Sequence, residues 1–233
     1  MSSKPARIAS LGVVGSGIMG SGIAEAAALA GHRVVLRSRA QSSADAMMAS
    51  LEKSLAKRVD KGSITPQERD AALERVSATS DLGLLADVDL VIESVVEDIA
   101  VKRHLFTELD RICQPKAILA TNTSTLPVVD MAMETGRPEK VCGVHFFNPA
   151  TVMSLVEIVR PLTASDETIA TAKAFAEACG KTPVEVKDQA GFVVNALLFP
   201  YLNNAVRLLE QGLASKEDID AALHYSEIFE LPA

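Results

Sequence analysis

The chain has few cysteines, no long apolar run and no excess of positive charge. Its three cysteines, Cys113, Cys142 and Cys179, are far apart and odd in number, which excludes a disulfide scaffold and predicts free thiols in a reducing cytoplasm. No stretch approaches the roughly 20 uninterrupted apolar residues of a membrane span, and the run after the polar residues 1–7 is too short for a signal peptide. The formal charge of −7 argues against nucleic acid or an anionic membrane as the main partner. Neither an HExxH nor a paired CxxC motif occurs, so no metal site is predicted.

What the chain does contain is typical of a globular protein, with 233 residues of which 48% are hydrophobic and 23% charged. This composition excludes an intrinsically disordered or collagen-like chain and allows one large domain or a domain with a smaller one. Short apolar runs alternate with helical patterns, which is typical of a parallel sheet covered on both faces. We therefore predict an α/β fold with a Rossmann-type, doubly wound and mostly parallel sheet. The predicted strands are residues 8–14, 34–36, 90–92, 117–120, 141–147 and 183–186, and the predicted helices include residues 18–30 and 43–61.

The pattern changes after Cys179, and everything beyond Gly191 is predicted to be helical. Residues 192–213 are apolar nearly all round, and a helix of that kind must be buried against something. We place a domain boundary near Ala190. This division gives a first domain of residues 1–190 and an all-helical domain of residues 191–233.

Glycines concentrate in one segment, where a GxGxxG pattern lies between a predicted strand and a predicted helix. Gly15 permits a tight turn, Gly17 lets the backbone approach a pyrophosphate, and Gly20 lets the helix and strand pack closely. The start of the helix supplies N–H groups and a positive dipole end. The first domain is therefore predicted to bind a dinucleotide, with contacts from Gly15, Gly17, Ile18, Met19 and Gly20.

The end of the second predicted strand indicates which dinucleotide. An NAD site usually has an acid about 20 residues after the glycines, where it binds the adenosine ribose hydroxyls. Here the strand ends in Arg37, Ser38 and Arg39, and the nearest acid, Asp45, is already in the helix. A serine between two guanidinium groups can hold a 2′-phosphate, so NADP is favoured over NAD. The alternative is two solvated arginines at a strand end.

Polar residues follow two predicted strands at the edge where ligands collect in doubly wound sheets. Asn122 and Ser124 lie in a run of five polar residues after a buried strand, and His145 lies at the end of another. Asn195 is a lone amide in an otherwise apolar helix, where it costs free energy unless it has a partner. These four residues are candidates for chemistry.

His145 and Glu157 are predicted to be partners. A hairpin centred on Thr151 would place position 145 opposite position 157, about 5 Å apart at Cβ. A carboxylate at that distance fixes the imidazole tautomer and favours the imidazolium that forms when histidine accepts a proton. The alternative is a core histidine beside an exposed glutamate.

These residues suit one reaction. When a secondary alcohol loses a hydride to a nicotinamide, a base must remove the hydroxyl proton, and His145 is suited to that role near neutral pH. Ser124 and Asn195 can orient the reacting oxygen, and Glu157 can hold the base.

The sequence resembles the 3-hydroxyacyl-CoA dehydrogenase family, and the 3-hydroxybutyryl-CoA enzymes in particular. The resemblance runs from about Ile8 to Leu223. It is carried by GSGIMGSGIA from Gly15, VIESVVED from Val91, NTSTL from Asn122, HFFNP from His145 and GFVVN from Gly191. It implies a short-chain acyl-CoA thioester as substrate and the catalytic set Ser124, His145, Glu157 and Asn195.

The resemblance also implies roles that the residues alone would not suggest. It implies nicotinamide-side contacts from Glu97, Lys102 and Asn122, although Glu97 and Lys102 alone resemble the solvated polar start of a helix. It further implies that Ser54 and Lys61 contact the thioester arm. Lys61 belongs to a row of basic residues on one helix face that would suit contact with coenzyme A phosphates. An equally good interpretation is that this row is a solvated helix face.

In the family the helical domain continues beyond the segment that matches residues 219–223, and it forms the dimer contact and one wall of the substrate cleft. By that comparison residues 191–233 are expected to be a partial substrate and dimerisation domain, with an apolar patch that favours self-association. Two alternatives stay open: a dehydrogenase of carrier-protein thioesters, and a non-catalytic nucleotide-binding assembly or regulatory protein.

Overall fold

The computed structural model describes residues 5–225, and the chain divides into two compact units with the boundary between Ala190 and Gly191. The first unit is built on an eight-stranded sheet with the strand order β3-β2-β1-β4-β5-β6-β7-β8. Its strands are β1 (Ser10–Val14), β2 (Arg33–Arg37), β3 (Val76–Thr79), β4 (Leu90–Glu93), β5 (Ile118–Thr121), β6 (Val141–Phe146), β7 (Leu155–Arg160) and β8 (Thr182–Lys187).

Neighbouring strands of the sheet are parallel except for the antiparallel pair β6 and β7. The central strands β1, β4 and β5 are buried along their whole length, because helices cover the sheet. The predicted Rossmann-type, mostly parallel sheet is confirmed. The helices of the first unit are α1 (Ile18–Leu29), α2 (Gln41–Asp60), α3 (Pro66–Glu74), α4 (Ile99–Ile112), α5 (Val128–Ala132) and α6 (Asp166–Ala178).

Two elements between α2 and β4 have no counterpart among the predicted strands and helices. The helix α3 begins with a capping box in which Thr65 and Glu68 satisfy each other's backbone amides, and Pro66 follows the cap. The strand β3 has the sequence VSAT, which lacks the apolar run that marks the other strands. Pairing with β2, rather than its own hydrophobicity, makes this segment a strand.

The second unit contains α7 (Val194–Glu210) and α8 (Lys216–Tyr225). The predicted helix of residues 192–213 is too long at both ends. Gly191 and Phe192 have φ values of +77° and +47°, which no helix accommodates, and Gly212 has a φ of +67° beyond the last turn. No residue of α7 is buried, so the helix exposes the apolar patch that the resemblance to the family implied. Leu197 and Phe199 are among its exposed apolar side chains.

Within residues 5–225, no helix is both long enough and apolar enough to cross a membrane.

Candidate active site

Glycines shape the loop between β1 and α1. Gly15 has a φ of +135°, and a Cβ atom there would lie 2.2 Å from the Ser94 carbonyl oxygen. A Cβ atom on Gly20 would lie 2.3 Å from the Gly15 carbonyl oxygen, so the first turn of α1 packs directly on the loop. The Gly15 amide also donates to the Arg37 carbonyl oxygen at 3.0 Å, which ties the loop to the end of β2. Only glycine fits at Gly15 and Gly20.

Gly17 is different because the space around it is open. A Cβ atom there would have no heavy atom of a neighbouring element within 4 Å among the described residues. Gly17 is the N-cap of α1, and because glycine has no side chain it cannot accept hydrogen bonds from the backbone amides of the first turn. Ile18, in that turn, is 78% exposed. Met19 is half-buried and packs on the core. This open helix start fits the pyrophosphate of a dinucleotide.

The residues at the end of β2 present hydroxyl and guanidinium groups. Ser38 is buried, Arg37 is half-buried and Arg39 is exposed. Arg37 has a buried Nε that lacks a hydrogen-bond partner among the described residues. The nearest acid in sequence, Asp45, accepts a hydrogen bond from the Gln41 side chain at 2.8 Å. The strand end therefore differs in charge from the acidic ribose contact of NAD sites.

A cleft of about 450 Å³ lies beside the glycine loop. Its lining includes Gly17, the α2 residues Ser50 and Ser54, and the turn of residues 148–151. Lys61 lies just beyond α2, where it is exposed and outside this lining. The structure therefore brings Ser54 towards the glycine loop and leaves Lys61 on the surface.

Lys102 is deeply buried, and this corrects the expectation of a solvated helix start. Its side chain is 1% exposed, and its Nζ lies 2.6 Å from Glu93 Oε1 and 3.3 Å from Glu97 Oε2. Glu93, the last residue of β4, is fully buried. An ammonium group can be buried at this depth only when carboxylates pair with it.

Glu97 holds the polar loop that follows β5. Its Oε1 accepts hydrogen bonds from the Thr123 hydroxyl, the Ser124 amide at 3.2 Å and the Thr125 hydroxyl at 3.3 Å. Partial burial by itself raises the pKa of Glu97, but the Thr123 hydroxyl and the Lys102 charge outweigh it and lower the pKa below its usual value. Glu97 is therefore an ionised acceptor near neutral pH.

Asn122 connects this loop to the next strand. The backbone amide of Asn122 donates a hydrogen bond to the Glu93 carbonyl oxygen at 2.8 Å, and its side-chain Oδ1 accepts one from the Phe146 backbone amide at 2.8 Å. Because β4, β5 and β6 are adjacent and parallel, their carboxyl ends bring Glu93, Asn122 and His145 to one edge of the sheet.

His145 and Glu157 are directly opposite each other on β6 and β7, which confirms the predicted register. His145 Nδ1 lies 2.8 Å from Glu157 Oε2. The imidazole is 7% exposed and the carboxyl 1% exposed. A carboxylate in this position can accept a hydrogen bond from the Nδ1–H group and so fix the tautomer of the imidazole.

Asn195, the remaining candidate, lies in the first turn of α7 in the second unit. Its predicted catalytic role, like the roles of the other candidates, stays a prediction.

The glycine loop and the acid–imidazole pair are characteristic features that can be compared with known proteins. Residues 10–189 match the profile of the 3-hydroxyacyl-CoA dehydrogenase NAD binding domain, and residues 191–231 match that of the 3-hydroxyacyl-CoA dehydrogenase C-terminal domain. The chain belongs to the 3-hydroxyacyl-CoA dehydrogenase family. The first unit of this family member therefore has the NAD binding domain fold.

Relatives of this 3-hydroxyacyl-CoA dehydrogenase include a Mycobacterium tuberculosis 3-hydroxybutyryl-CoA dehydrogenase, which is 47% identical over 215 residues covering 91% of this chain and 75% of the relative. A Clostridioides difficile 3-hydroxybutyryl-CoA dehydrogenase is 44% identical over 213 residues, with coverage of 91% and 76%. The crystal structure of M. tuberculosis FadB2 superposes with a TM-score of 0.91 at 45% identity, covering 97% of this chain and 80% of that one.

Glu93 and Thr121 are site residues that sequence reasoning missed. The two are paired in register on β4 and β5, and the Thr121 hydroxyl donates to Glu93 Oε2 at 2.7 Å. Their signal was an acid and a threonine that each end a buried strand on the ligand side of the sheet. Between residues 5 and 225, no group of three or more His, Cys, Asp and Glu residues is arranged to hold a metal ion.

Proposed function

We propose that this chain is a nicotinamide-dependent dehydrogenase that interconverts 3-hydroxyacyl-CoA and 3-oxoacyl-CoA thioesters. The observation that carries the proposal is the buried pair of His145 and Glu157, whose Nδ1 and Oε2 atoms are 2.8 Å apart. The pair lies at the edge of the sheet where ligands bind, and the first strand of that sheet leads into the glycine loop. A base at this edge suits the oxidation of a secondary alcohol. A bound nicotinamide would supply the hydride acceptor, or the donor in the reverse direction.

His145 exchanges the proton of the reacting oxygen. In the oxidation direction, Nε2 takes the hydroxyl proton while the substrate carbon loses a hydride, so the alcohol becomes a ketone. In the reduction direction, the same nitrogen returns the proton to the oxygen. The Glu157 carboxylate keeps the proton on Nδ1 and stabilises the imidazolium that forms.

The other candidates bind or orient. Ser124 and Asn195 are proposed to hydrogen-bond the reacting oxygen as charge develops on it. The proposed cofactor contacts near the nicotinamide come from Glu97, Lys102 and Asn122, and the glycine loop holds the pyrophosphate. Ser54 and Lys61 are proposed to contact the thioester arm, and the lining of the cleft by Ser54 supports this role.

We further propose that the chain prefers NADP to NAD. The support is chemical: Ser38 stands where an acid would repel a 2′-phosphate, and Arg37 and Arg39 flank it. The Arg39 guanidinium is exposed, whereas Arg37 is half-buried and its Nε is a buried donor without a hydrogen-bond partner among the described residues.

The substrate class is proposed from chemistry and from relatives. Proteins that share 44–47% identity carry the name 3-hydroxybutyryl-CoA dehydrogenase, so we propose a short acyl chain. The test follows the oxidation of NADH or NADPH spectrophotometrically with acetoacetyl-CoA. Turnover with acetoacetyl-CoA supports the proposal, turnover only with a matched carrier-protein thioester would replace the substrate class, and no turnover with either would leave a binding protein.

We also propose a cytoplasmic homo-oligomer, most simply a dimer. The exposed apolar side chains of α7 in the second unit, among them Leu197 and Phe199, support self-association. Light scattering on the full chain measures the mass, and a monomer at assay concentration would contradict this part of the proposal.

A further inference from the structure

The buried Glu93 carboxylate connects two features that the proposed chemistry needs. One oxygen, Oε1, accepts hydrogen bonds from Lys102 Nζ and from the Val95 amide, both at 2.6 Å. The other oxygen, Oε2, accepts from the Thr121 hydroxyl at 2.7 Å. Because Glu93 and Lys102 are both withdrawn from water, their orientation is dictated by these contacts rather than by solvent.

The Thr121 hydroxyl extends this network into the polar loop. Its Oγ1 accepts from the Thr123 amide at 3.2 Å, and the Thr123 hydroxyl in turn accepts from the Leu126 amide at 3.0 Å. On the Lys102 side of the network, Lys102 forms an ion pair with Glu97, and Glu97 accepts a hydrogen bond from the Ser124 backbone amide. The loop that carries Ser124 is thus held from both ends of one network, and Glu93 is its buried centre.

We propose that Glu93 and Thr121 are positioning residues that set the location of Ser124 for the reaction. This inference rests on the proposed function, because the exact position of Ser124 affects the rate only if Ser124 orients a reacting oxygen. Neither Glu93 nor Thr121 is exposed, so they act through the loop and not by touching substrate. A displacement of the loop of about 1 Å can reduce the rate about a hundredfold.

The test replaces Thr121 by valine, which keeps the shape and removes the hydroxyl. We expect Thr121→Val to lower kcat about tenfold to a hundredfold with acetoacetyl-CoA, while KM for the cofactor changes less than about threefold. Thr121→Ser restores the hydroxyl, so its kcat should return to within about threefold of the unaltered protein.

A matched control separates positioning from stability. Thr168 is buried like Thr121, and its hydroxyl donates to the Glu139 carbonyl oxygen at 2.8 Å, in the first turn of α6. Thr168→Val and Thr121→Val should lower the melting temperature by similar amounts, because each removes one buried hydroxyl. Thr168→Val should leave kcat unchanged.

Glu93→Gln provides a second variant, because it keeps the length of the side chain and removes the charge that pairs with Lys102. It should reduce kcat at least as much as Thr121→Val. If the unaltered protein turns over and Thr121→Val retains its kcat, or loses no more than Thr168→Val, the positioning role is wrong. If the unaltered protein has no dehydrogenase activity, the proposed function fails first.

Discussion

His145 and Glu157 face each other across an antiparallel strand pair, with Nδ1 and Oε2 2.8 Å apart, in a sheet whose other neighbours are all parallel. The antiparallel pairing is what makes the contact possible. The chain leaves β6 with His145 near its end, turns, and returns along β7, so a residue twelve positions later arrives directly opposite. A parallel neighbour would require a crossover connection of a dozen or more residues.

Glu157→Gln should lower kcat about a hundredfold or more, because a neutral amide neither stabilises the imidazolium nor fixes the tautomer. His145→Gln should abolish turnover, since an amide does not exchange a proton near neutral pH. Cofactor binding, measured by fluorescence titration with the reduced cofactor, should change little in both variants. Turnover of His145→Gln at the level of the unaltered protein would remove His145 as the base.

Local patterns in the sequence were sufficient to predict the glycine loop, most of the strands and the 145–157 register. The loop follows from three glycines at fixed spacing, and the register follows from the position of one turn. These are short-range features, so the sequence contains everything needed to infer them.

Long-range pairing accounts for what was missed. Lys102 at a helix start has the appearance of a solvated side chain, and only the folded sheet brings Glu93 beneath it and Thr121 beside Glu93. The strand β3 is likewise produced by its neighbour β2. The exposure of α7 was expected only from the resemblance to the family, because an apolar helix by itself indicates that burial is favourable without specifying a partner.

The glycine loop gives a prediction that distinguishes a ligand contact from a fold requirement. Gly17→Ala should change the free energy of unfolding by less than about 1 kcal/mol, since the new Cβ atom meets open space. It should weaken cofactor binding about tenfold, a loss of about 1.4 kcal/mol, because the methyl group occupies the approach of the pyrophosphate. Chemical denaturation and cofactor titration measure the two effects.

Gly15→Ala is the matched contrast. Its Cβ atom would lie 2.2 Å from the Ser94 carbonyl oxygen in a left-handed region of φ, so it should cost at least about 2 kcal/mol of unfolding free energy. Equal stability losses in the two variants would contradict the division of roles in this loop.

Cofactor preference should respond to a single charge at the end of β2. Ser38→Asp should lower kcat/KM with NADPH and raise it with NADH, moving the ratio at least about tenfold, because a carboxylate repels a 2′-phosphate and accepts from ribose hydroxyls. Ser38→Asn is the neutral control, because asparagine has the same shape as aspartate without the charge. If the unaltered protein already uses NADH better than NADPH, the proposed NADP preference is wrong.

His32 predicts a pH dependence of stability that is separate from the active site. Its imidazole is buried, its Nδ1 lies 3.0 Å from the Ile8 carbonyl oxygen, and its ring packs on Phe175. Burial lowers the pKa of His32, an effect that the Ile8 contact partly opposes and the Arg7 charge reinforces. The folded protein therefore resists protonation that the unfolded chain accepts near pH 6.5.

The sign of the effect follows from proton linkage. Below pH 6.5 the unfolded chain binds a proton at His32 that the folded protein does not, so stability decreases as the pH falls towards the folded pKa. His32→Asn keeps a donor for the Ile8 carbonyl and removes this titration. The stability advantage of the unaltered protein over His32→Asn, from urea unfolding, should be larger at pH 7.5 than at pH 5.5. His104→Asn alters a histidine that is 77% exposed and should leave the pH dependence unchanged. A difference between the unaltered protein and His32→Asn that is constant with pH would show that His32 titrates alike in both states.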